Sequence, residues 1–210
     1  MPSPLFLSLD GIDASGKSTQ ARLLVEWLRK QGHAVTFCRD PGGTAAGDRI
    51  RQILLDRSTG YLSPLTETFL FMASRAQLVE EVIRPALNRG ELVLCDRFVL
   101  STVVYQGHAG NLDPALSWEL GRIATGDMLP QYTFLFDMPV SAALLRNQGP
   151  NDRIEDKGLE YLDRVRQGFL TEARRDPEHF IVIDAAQTID AVQKTLQQEV
   201  SRVLARHSRS

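Results

Sequence analysis

Lysine is scarce in this chain. Of the 24 basic residues four are lysine and 20 are arginine, so anions must be gripped mostly by planar, bidentate guanidinium groups, and a lysine inside a motif stands out. Neither sign of charge is in surplus, with 24 basic against 26 acidic residues. That balance removes the electrostatic footprint of a nucleic-acid or anionic-membrane binder and leaves small molecules as the expected partners. Two cysteines, Cys38 and Cys95, are too few for a disulfide framework; with no metal-ligand spacing around them, they read as inert core thiols. The histidines His33, His108, His179 and His207 form no cluster and read as structural or solvent-facing. No apolar run approaches membrane-spanning length, and an apolar segment begins at Leu5 without a basic leader, so a cytoplasmic location is expected. Repeats, linkers and low-complexity stretches are also lacking. The 210 residues are therefore expected to form one domain, 1–210, with a sizeable core.

What is present is organised around Gly11 to Ser18, Gly-Ile-Asp-Ala-Ser-Gly-Lys-Ser, which matches the phosphate-binding loop G-x-x-x-x-G-K-[ST]. The context fits, because Leu5 to Leu9 reads as a buried strand and Gln20 to Lys30 as a helix with Leu23, Leu24, Trp27 and Leu28 on one face. Gly11 and Gly16 let the backbone turn its N–H groups inward, and the helix dipole adds positive potential where phosphate oxygens would sit. The stretch Gly11, Ile12, Asp13, Ala14, Ser15, Gly16, Lys17, Ser18, Thr19 is the expected triphosphate pocket. In it Lys17 reaches the outer phosphates and Ser18 ligates Mg²⁺.

Strands and helices alternate along the rest of the chain. Strands are expected at Ala34 to Cys38, Leu92 to Cys95, Tyr132 to Phe136 and Phe180 to Ile183. Helices are expected at about Ala46 to Leu55, Val99 to Gln106, Pro114 to Thr125, from Val140, around Leu159 to Phe169, and from Ile189 to Val203. Another, capped by Ser63 and opened by Pro64, should run to Arg89, bend at Pro85 and end at Gly90. Arg39 to Thr44 contains Pro and two Gly and is read as a loop. Apolar strands alternating with helices predict an α/β fold, a five-stranded parallel sheet with helices on both faces. Four strands end in aspartate: Asp10, Asp96, Asp137 and Asp184. Ligands of such sheets lie beyond the carboxyl ends of the strands. Asp137 and Asp184 are read as caps of the turns that follow; Asp96 can orient water around Mg²⁺ while its neighbour Arg97 grips a second anion.

Taken in order, the phosphate loop with Asp13 inside it, Arg39-Asp-Pro-Gly-Gly-Thr44, Phe71-Met-Ala-Ser-Arg75, Asp96-Arg-Phe-Val-Leu-Ser-Thr-Val-Val-Tyr-Gln106 and Asp152-Arg-Ile-Glu155 resemble the thymidylate kinases over nearly the whole chain. Asp40 departs from the usual Glu of that family, and Phe98 from its Tyr or His. The resemblance implies a three-layer P-loop NTPase fold with a small lid near 147–154. It also implies ATP- and Mg²⁺-dependent phosphorylation of dTMP to dTDP by direct in-line transfer, with the metal at Ser18 and Asp96, and a homodimer. Phe71 and Arg75, four apart on a helix, share a face, so the ring can stack on a base while the guanidinium donates to a carbonyl. The resemblance makes these thymine and its O4. Arg97 would hold the acceptor phosphate, with Arg39 a second candidate and Arg51 assisting. Ser101 and Thr102 belong to the same substrate site, Thr102 reading the thymine edge. Gln106 and Asp13 would border the sugar, Asp13 accepting the 3′-hydroxyl, and Tyr105 would face C2′ and favour deoxyribose. Since the acceptor phosphate is largely ionised already, Asp13 need not act as a general base, and positioning with charge neutralisation is the main task.

Some thymidylate kinases carry an arginine in the phosphate loop, where this chain has Ala14, so the lid is expected to supply that charge. Between Arg146 and Arg153 there is no basic residue. Arg153 is therefore expected to join Lys17, Arg97 and Asp13 in catalysis, with Gln148 a weaker neutral donor and Arg146 stacking on adenine. In the structural alternative Arg153 pairs with Asp152 or Glu155 and only fixes the hinge. Asp40 to Gly43 superficially fits the D-x-x-G of a GTP-dependent switch, but no N-K-x-D follows. Another nucleotide or nucleoside kinase is the nearer competitor.

Overall fold

Strand β1 (Phe6–Gly11) is buried along its whole length, because it has a strand on each side and helices on both faces. In the computed structural model, which describes residues 4–146, 153 and 158–207, β1 pairs in parallel with β3 (Leu92–Asp96) and β4 (Tyr132–Asp137). Outside these lie β2 (Val35–Arg39) and β5 (Phe180–Asp184), giving the order β2-β3-β1-β4-β5 with every pairing parallel. The five expected strands are present, and most run further at their carboxyl ends to take in the aspartates.

The helices are α1 (Lys17–Lys30), α2 (Ala45–Leu55), α3 (Pro64–Leu78), α4 (Arg84–Asn88), α5 (Val99–Thr102), α6 (Pro114–Thr125), α7 (Val140–Arg146), α8 (Leu159–Arg175) and α9 (Ile189–His207). Alternation along the strands divides the core in two. Leu7, Leu9 and Leu94 pack with Leu24 and Leu28 of α1 and Leu196 and Val200 of α9. Phe6, Val93 and Cys95 face Leu78, Val79, Ile83 and Phe98 on the other side, with Phe6 edge-on to Phe98 at 5.0 Å between ring centroids. Cys38 and Cys95 are register partners on β2 and β3, both free and buried, and burial pushes the Cys95 thiol well up, as expected of inert thiols.

The long helix differs in one respect from its sequence expectation. Ser63 caps it as expected, accepting from the Thr66 amide at 3.1 Å. Its irregularity, however, is a π-helical turn at Val79–Ile83, ahead of Pro85 rather than at it. A proline has no N–H to give and its ring collides with the carbonyl four residues back, so the wider turn before it relieves both problems. A second π turn, Val103–His108, continues α5. It is closed by the Ala109 amide donating to Val104 O at 2.9 Å.

Asp184 caps its turn as expected, accepting from the Ala186 amide and the Gln187 side chain at 3.0 and 2.9 Å. Asp137 does not. It takes Arg166 of α8 in a two-point grip at 2.7 and 2.9 Å, a non-local ion pair that no turn signal announces. The late helices are otherwise largely solvated on their charged faces, but Glu172 of α8 is buried. It accepts from His108, Trp118 and Arg175. Gln148, Asp152 and Glu155, and all of the expected lid except Arg153, lie outside the described residues.

Candidate active site

The site begins where β1 stops. Gly11 has φ +140°, and a Cβ there would lie 2.5 Å from Phe136 O of β4, so only glycine lets the chain leave the sheet at this point. The following loop ends on Gly16, which opens α1 with φ +90°. Lys17 then folds over the loop it closes. Its Nζ donates to Gly11 O at 3.0 Å, Ile12 O at 2.7 Å and Ser15 Oγ at 3.3 Å. Burial, helped by Arg97, lowers the Lys17 ammonium to about 8 against the pull of Asp13, Asp96 and Asp10. Ser18 donates to Asp96 Oδ2 at 2.9 Å, bringing together a hydroxyl and a carboxylate, the hard oxygen donors that suit Mg²⁺.

Arg97 sits across from the loop in the left-handed region, φ +68°, a conformation that costs a non-glycine residue about 1–3 kcal/mol. Its guanidinium donates to Asp13 Oδ1 at 2.5 Å, Gly11 O at 2.9 Å and Ser101 Oγ at 3.1 Å, and lies 5.3 Å over the Tyr105 ring. Burial would push the Asp13 carboxyl up, but Arg97 and then Lys17 outweigh it and hold the group below its ordinary value. The Tyr105 hydroxyl, raised well above its usual value by burial, stays protonated and donates to Asp13 Oδ2 at 3.0 Å. Beneath them Asp10 is fully buried and accepts from Ser101 at 2.6 Å. Burial raises it to about 6 in spite of Ser101, Arg97 and Lys17.

Two hollows meet at this arginine. A cleft of about 310 Å³ is lined by Asp13, Ala14, Gly16, Lys17, Ser18 and Thr19, with Arg39, Asp40, Arg51, Asp96, Arg97 and Arg146. Beside it a narrow cavity of about 80 Å³ is lined by Pro41, Leu55, Phe71, Arg75, Ser101, Thr102, Tyr105 and Gln106. Asp13, Asp40, Arg51 and Arg97 belong to both. A larger cavity, about 820 Å³, lies between α6, α8 and the sheet and contains none of the loop residues.

Phe71 and Arg75 do share one face of α3 and line the narrow cavity. Arg75 is fully buried, which the sequence did not disclose. Its Nε donates to Asp40 Oδ2 at 2.5 Å, Nη1 to the Met72 sulfur at 3.0 Å, and Nη2 to Phe98 O and Thr102 Oγ1 at 3.2 and 3.0 Å. Of its N–H groups only the second on Nη1 has no acceptor among the described residues. Asp40 is thus the anchor of Arg75, and the Thr102 oxygen accepts from the same guanidinium while its O–H can still donate. Arg51 donates to Pro41 O at 3.1 Å. Arg146 is held by the carbonyls of Ala185, Ala186 and Gln187 at the edge of the cleft. Gly11, Ile12 and Ser15 serve the loop from within, as partners of Lys17. Arg153 alone of the expected catalytic residues lines neither hollow; it pairs with Glu67 of α3 at 2.7 Å, not with a neighbour in sequence.

Glu67 was missed in the sequence reading, though a signal was present. Glu67, Phe71 and Arg75 recur every four residues and therefore fall on one face of α3. Glu67 also takes Gln106 Nε2 at 2.9 Å.

Comparison with known proteins agrees with this architecture. The family model described as thymidylate kinase matches residues 9–196. A thymidylate kinase of Symbiobacterium thermophilum is 43% identical over 206 residues, 98% of this chain and 96% of the relative. That of Syntrophotalea carbinolica is 45% identical over 195 residues, 89% of this chain and 90% of the relative. The solved thymidylate kinase of Ehrlichia chaffeensis superposes with a TM-score of 0.78 at 30% identity, covering 95% of this chain and 99% of its own. The chain belongs to the thymidylate kinase family, whose reaction is the ATP-dependent phosphorylation of dTMP to dTDP.

Proposed function

We propose that the two hollows divide this reaction between them, ATP lying in the loop cleft and dTMP in the Phe71 cavity, with their phosphates meeting at Arg97. The observation that carries the reading is the sharing of Asp13, Asp40, Arg51 and Arg97 by both hollows. The loop amides and Lys17 hold the donor phosphates, and Arg146, pinned by three carbonyls, offers its guanidinium plane to adenine. A phosphate oxygen of dTMP attacks the γ-phosphorus in line; the new P–O bond forms as the bond to the β-phosphate oxygen breaks, and no enzyme group is phosphorylated. Arg97 holds the acceptor phosphate, Arg39 and Arg51 add charge at the mouth, and Lys17 follows the charge moving onto the leaving oxygen. Asp13, already holding Arg97 and Tyr105, accepts the 3′-hydroxyl, while the Tyr105 ring lies where a 2′-hydroxyl would collide or lose its water. Ser18 and Asp96 would hold the Mg²⁺ that accompanies ATP, which neutralises phosphate charge.

Leu65 and Phe69 of α3 and Leu116 and Ile123 of α6 are exposed on helices that pack together, which supports a homodimer through that face. No helix among the described residues is long and apolar enough to cross a membrane. Cys38 and Cys95, free and adjacent, suit the reducing cytoplasm proposed as the location.

Phe71→Ala tests the division of labour. Base stacking on an aromatic ring is worth about 1–3 kcal/mol, so KM for dTMP should rise about tenfold to a hundredfold while KM for ATP stays within about threefold. Equal losses for both substrates would place the base elsewhere.

The pH dependence tests the Lys17 assignment. Above about 8 the free enzyme loses the ammonium charge that meets the phosphates, so kcat/KM for ATP should fall on the basic side with that apparent pKa. Bound ATP favours the charged form and shifts the basic limb of kcat upward. A kcat/KM profile that stays flat well past pH 9 contradicts the assignment.

A further inference from the structure

Arg153 carries the charge assigned from sequence to the transferred phosphoryl group, yet its side chain is turned into the floor beside the Phe71 cavity. Its Nε donates to Leu54 O at 2.9 Å and Nη1 to Glu67 Oε1 at 2.7 Å, while its backbone N–H donates to Leu55 O at 3.3 Å. Both members of the pair are nearly closed to solvent, the side chains being 11% and 1% exposed. A buried ion pair of this kind contributes little net stability over an apolar substitute, and here Nη2 of Arg153 has no partner among the described residues. Such an arrangement points to a role in specificity.

The second oxygen of Glu67 shows what is being specified. It receives Nε2 of Gln106 at 2.9 Å. An ionised carboxylate can only accept, so the Gln106 amide must turn its NH₂ towards Glu67 and keep its carbonyl oxygen on the other side. That oxygen, Oε1, is buried and has no partner among the described residues, and Gln106 lines the cavity with Phe71, Arg75 and Thr102. A buried acceptor left unpaired costs about 1–3 kcal/mol until a ligand donor meets it.

We propose that Arg153 and Glu67 are positioning residues for base selection: Arg153 holds the Glu67 carboxylate, Glu67 fixes the Gln106 amide, and the Gln106 oxygen is thereby reserved for a base that carries a hydrogen on its ring N3. Thymine and uracil carry that donor. Cytosine has a lone pair at N3, which would oppose the Gln106 oxygen and leave it unpaired. The inference rests on the acceptor base lying in this cavity, as proposed above. It assigns Arg153 to the choice of acceptor and not to the phosphoryl group.

Acceptor competition in the full-length protein tests it, with kcat/KM measured for dTMP, dUMP and dCMP, or Ki for dCMP where turnover is too slow. In Glu67→Gln the neutral amide can face Gln106 with either end, so the preference for dTMP over dCMP should shrink at least about tenfold. Arg153→Ala should shrink it likewise, and Arg153→Lys should retain part of it. The dTMP to dUMP ratio should not move in any of them, since both bases carry the N3 hydrogen. If dTMP and dCMP decline together in Glu67→Gln and Arg153→Ala, the pair is structural and the inference is overturned. If Arg153→Ala lowers kcat equally for every acceptor at an unchanged ratio, Arg153 serves the phosphoryl group instead. Gln106→Ala separates the remaining possibilities. A ratio lost there but intact in the other two variants rejects the relay alone; a ratio intact in all of them rejects the placement of the base beside Gln106.

Discussion

Lys17→Ala should lower kcat by about 10²- to 10³-fold while leaving dTMP affinity within about threefold of the parent. Losing one preorganised donor to developing charge costs about 2.7–4 kcal/mol. Lys17 is 5% exposed and already rests on the carbonyls of Gly11 and Ile12, so its charge is in place before substrate arrives. An incoming triphosphate replaces carbonyl oxygens by anionic ones, and the ammonium gains most when the leaving oxygen becomes negative. Removing it leaves Gly11 O to Arg97 at 2.9 Å and Ile12 O to the Ser15 amide at 3.4 Å, so only a small drop in thermal stability should accompany the kinetic loss. Single-turnover rates at saturating ATP and dTMP separate the two effects. A variant that turns over within a few-fold of the parent would show that the loop lysine is not part of the chemistry.

Arg97→Ala should lower kcat/KM for dTMP by about 10²- to 10³-fold, with a far smaller change in ATP affinity. Truncating one partner of a buried, hydrogen-bonded charge pair costs about 2–5 kcal/mol, much of it from the charge left behind; with side chains 17% and 36% exposed, this pair falls in the lower part of that range, and the lost grip on the acceptor phosphate adds to it. Here that charge is Asp13, which would then stand beside the phosphate loop opposed only by Lys17. Arg97→Lys should recover only part of the activity. An ammonium on a flexible stem cannot reach Asp13, Gly11 O and Ser101 together in the way the guanidinium does. Isothermal titration with dTMP, with and without an ATP analogue, provides the measurement. An Arg97→Ala protein that binds dTMP normally and loses only kcat would reassign the acceptor phosphate to Arg39 or Arg51.

The phosphate loop, the parallel sheet and the Asp96-Arg97 pair were legible in the sequence because each is local. A glycine spacing, an apolar run and two adjacent charges can be recognised without knowing what lies across the fold. Phe71 and Arg75 were legible for the same reason, as neighbours on one helical face. The pairings that hold these residues were not legible. Asp40 with Arg75, Glu67 with Arg153 and Asp137 with Arg166 join charges 29 to 86 positions apart, and nothing in periodicity or turn chemistry encodes such a distance. The π turn at Val103–His108 was likewise hidden. Its residues suit an ordinary helix, and only packing against α6 and α8 shows how the wider turn is accommodated.

The central position of β1 also constrains the order in which the molecule can be made. Ser8 on β1 meets its hydroxyl partner Thr133 on β4 across 125 residues, and the Phe6 amide meets Gln131 across the same separation. A ribosome that has emitted β1 and the phosphate loop must therefore extend the chain past Phe136 before the Gly11 turn has its backing. Until then the most deeply buried strand of the sheet has an open edge, a state prone to wrong pairing and slow to resolve, since long-range parallel pairings form late. The nucleotide site is written first and assembled late, so conditions that stall synthesis between β1 and β4 should expose this protein to chaperones and aggregation more than stalls after β4.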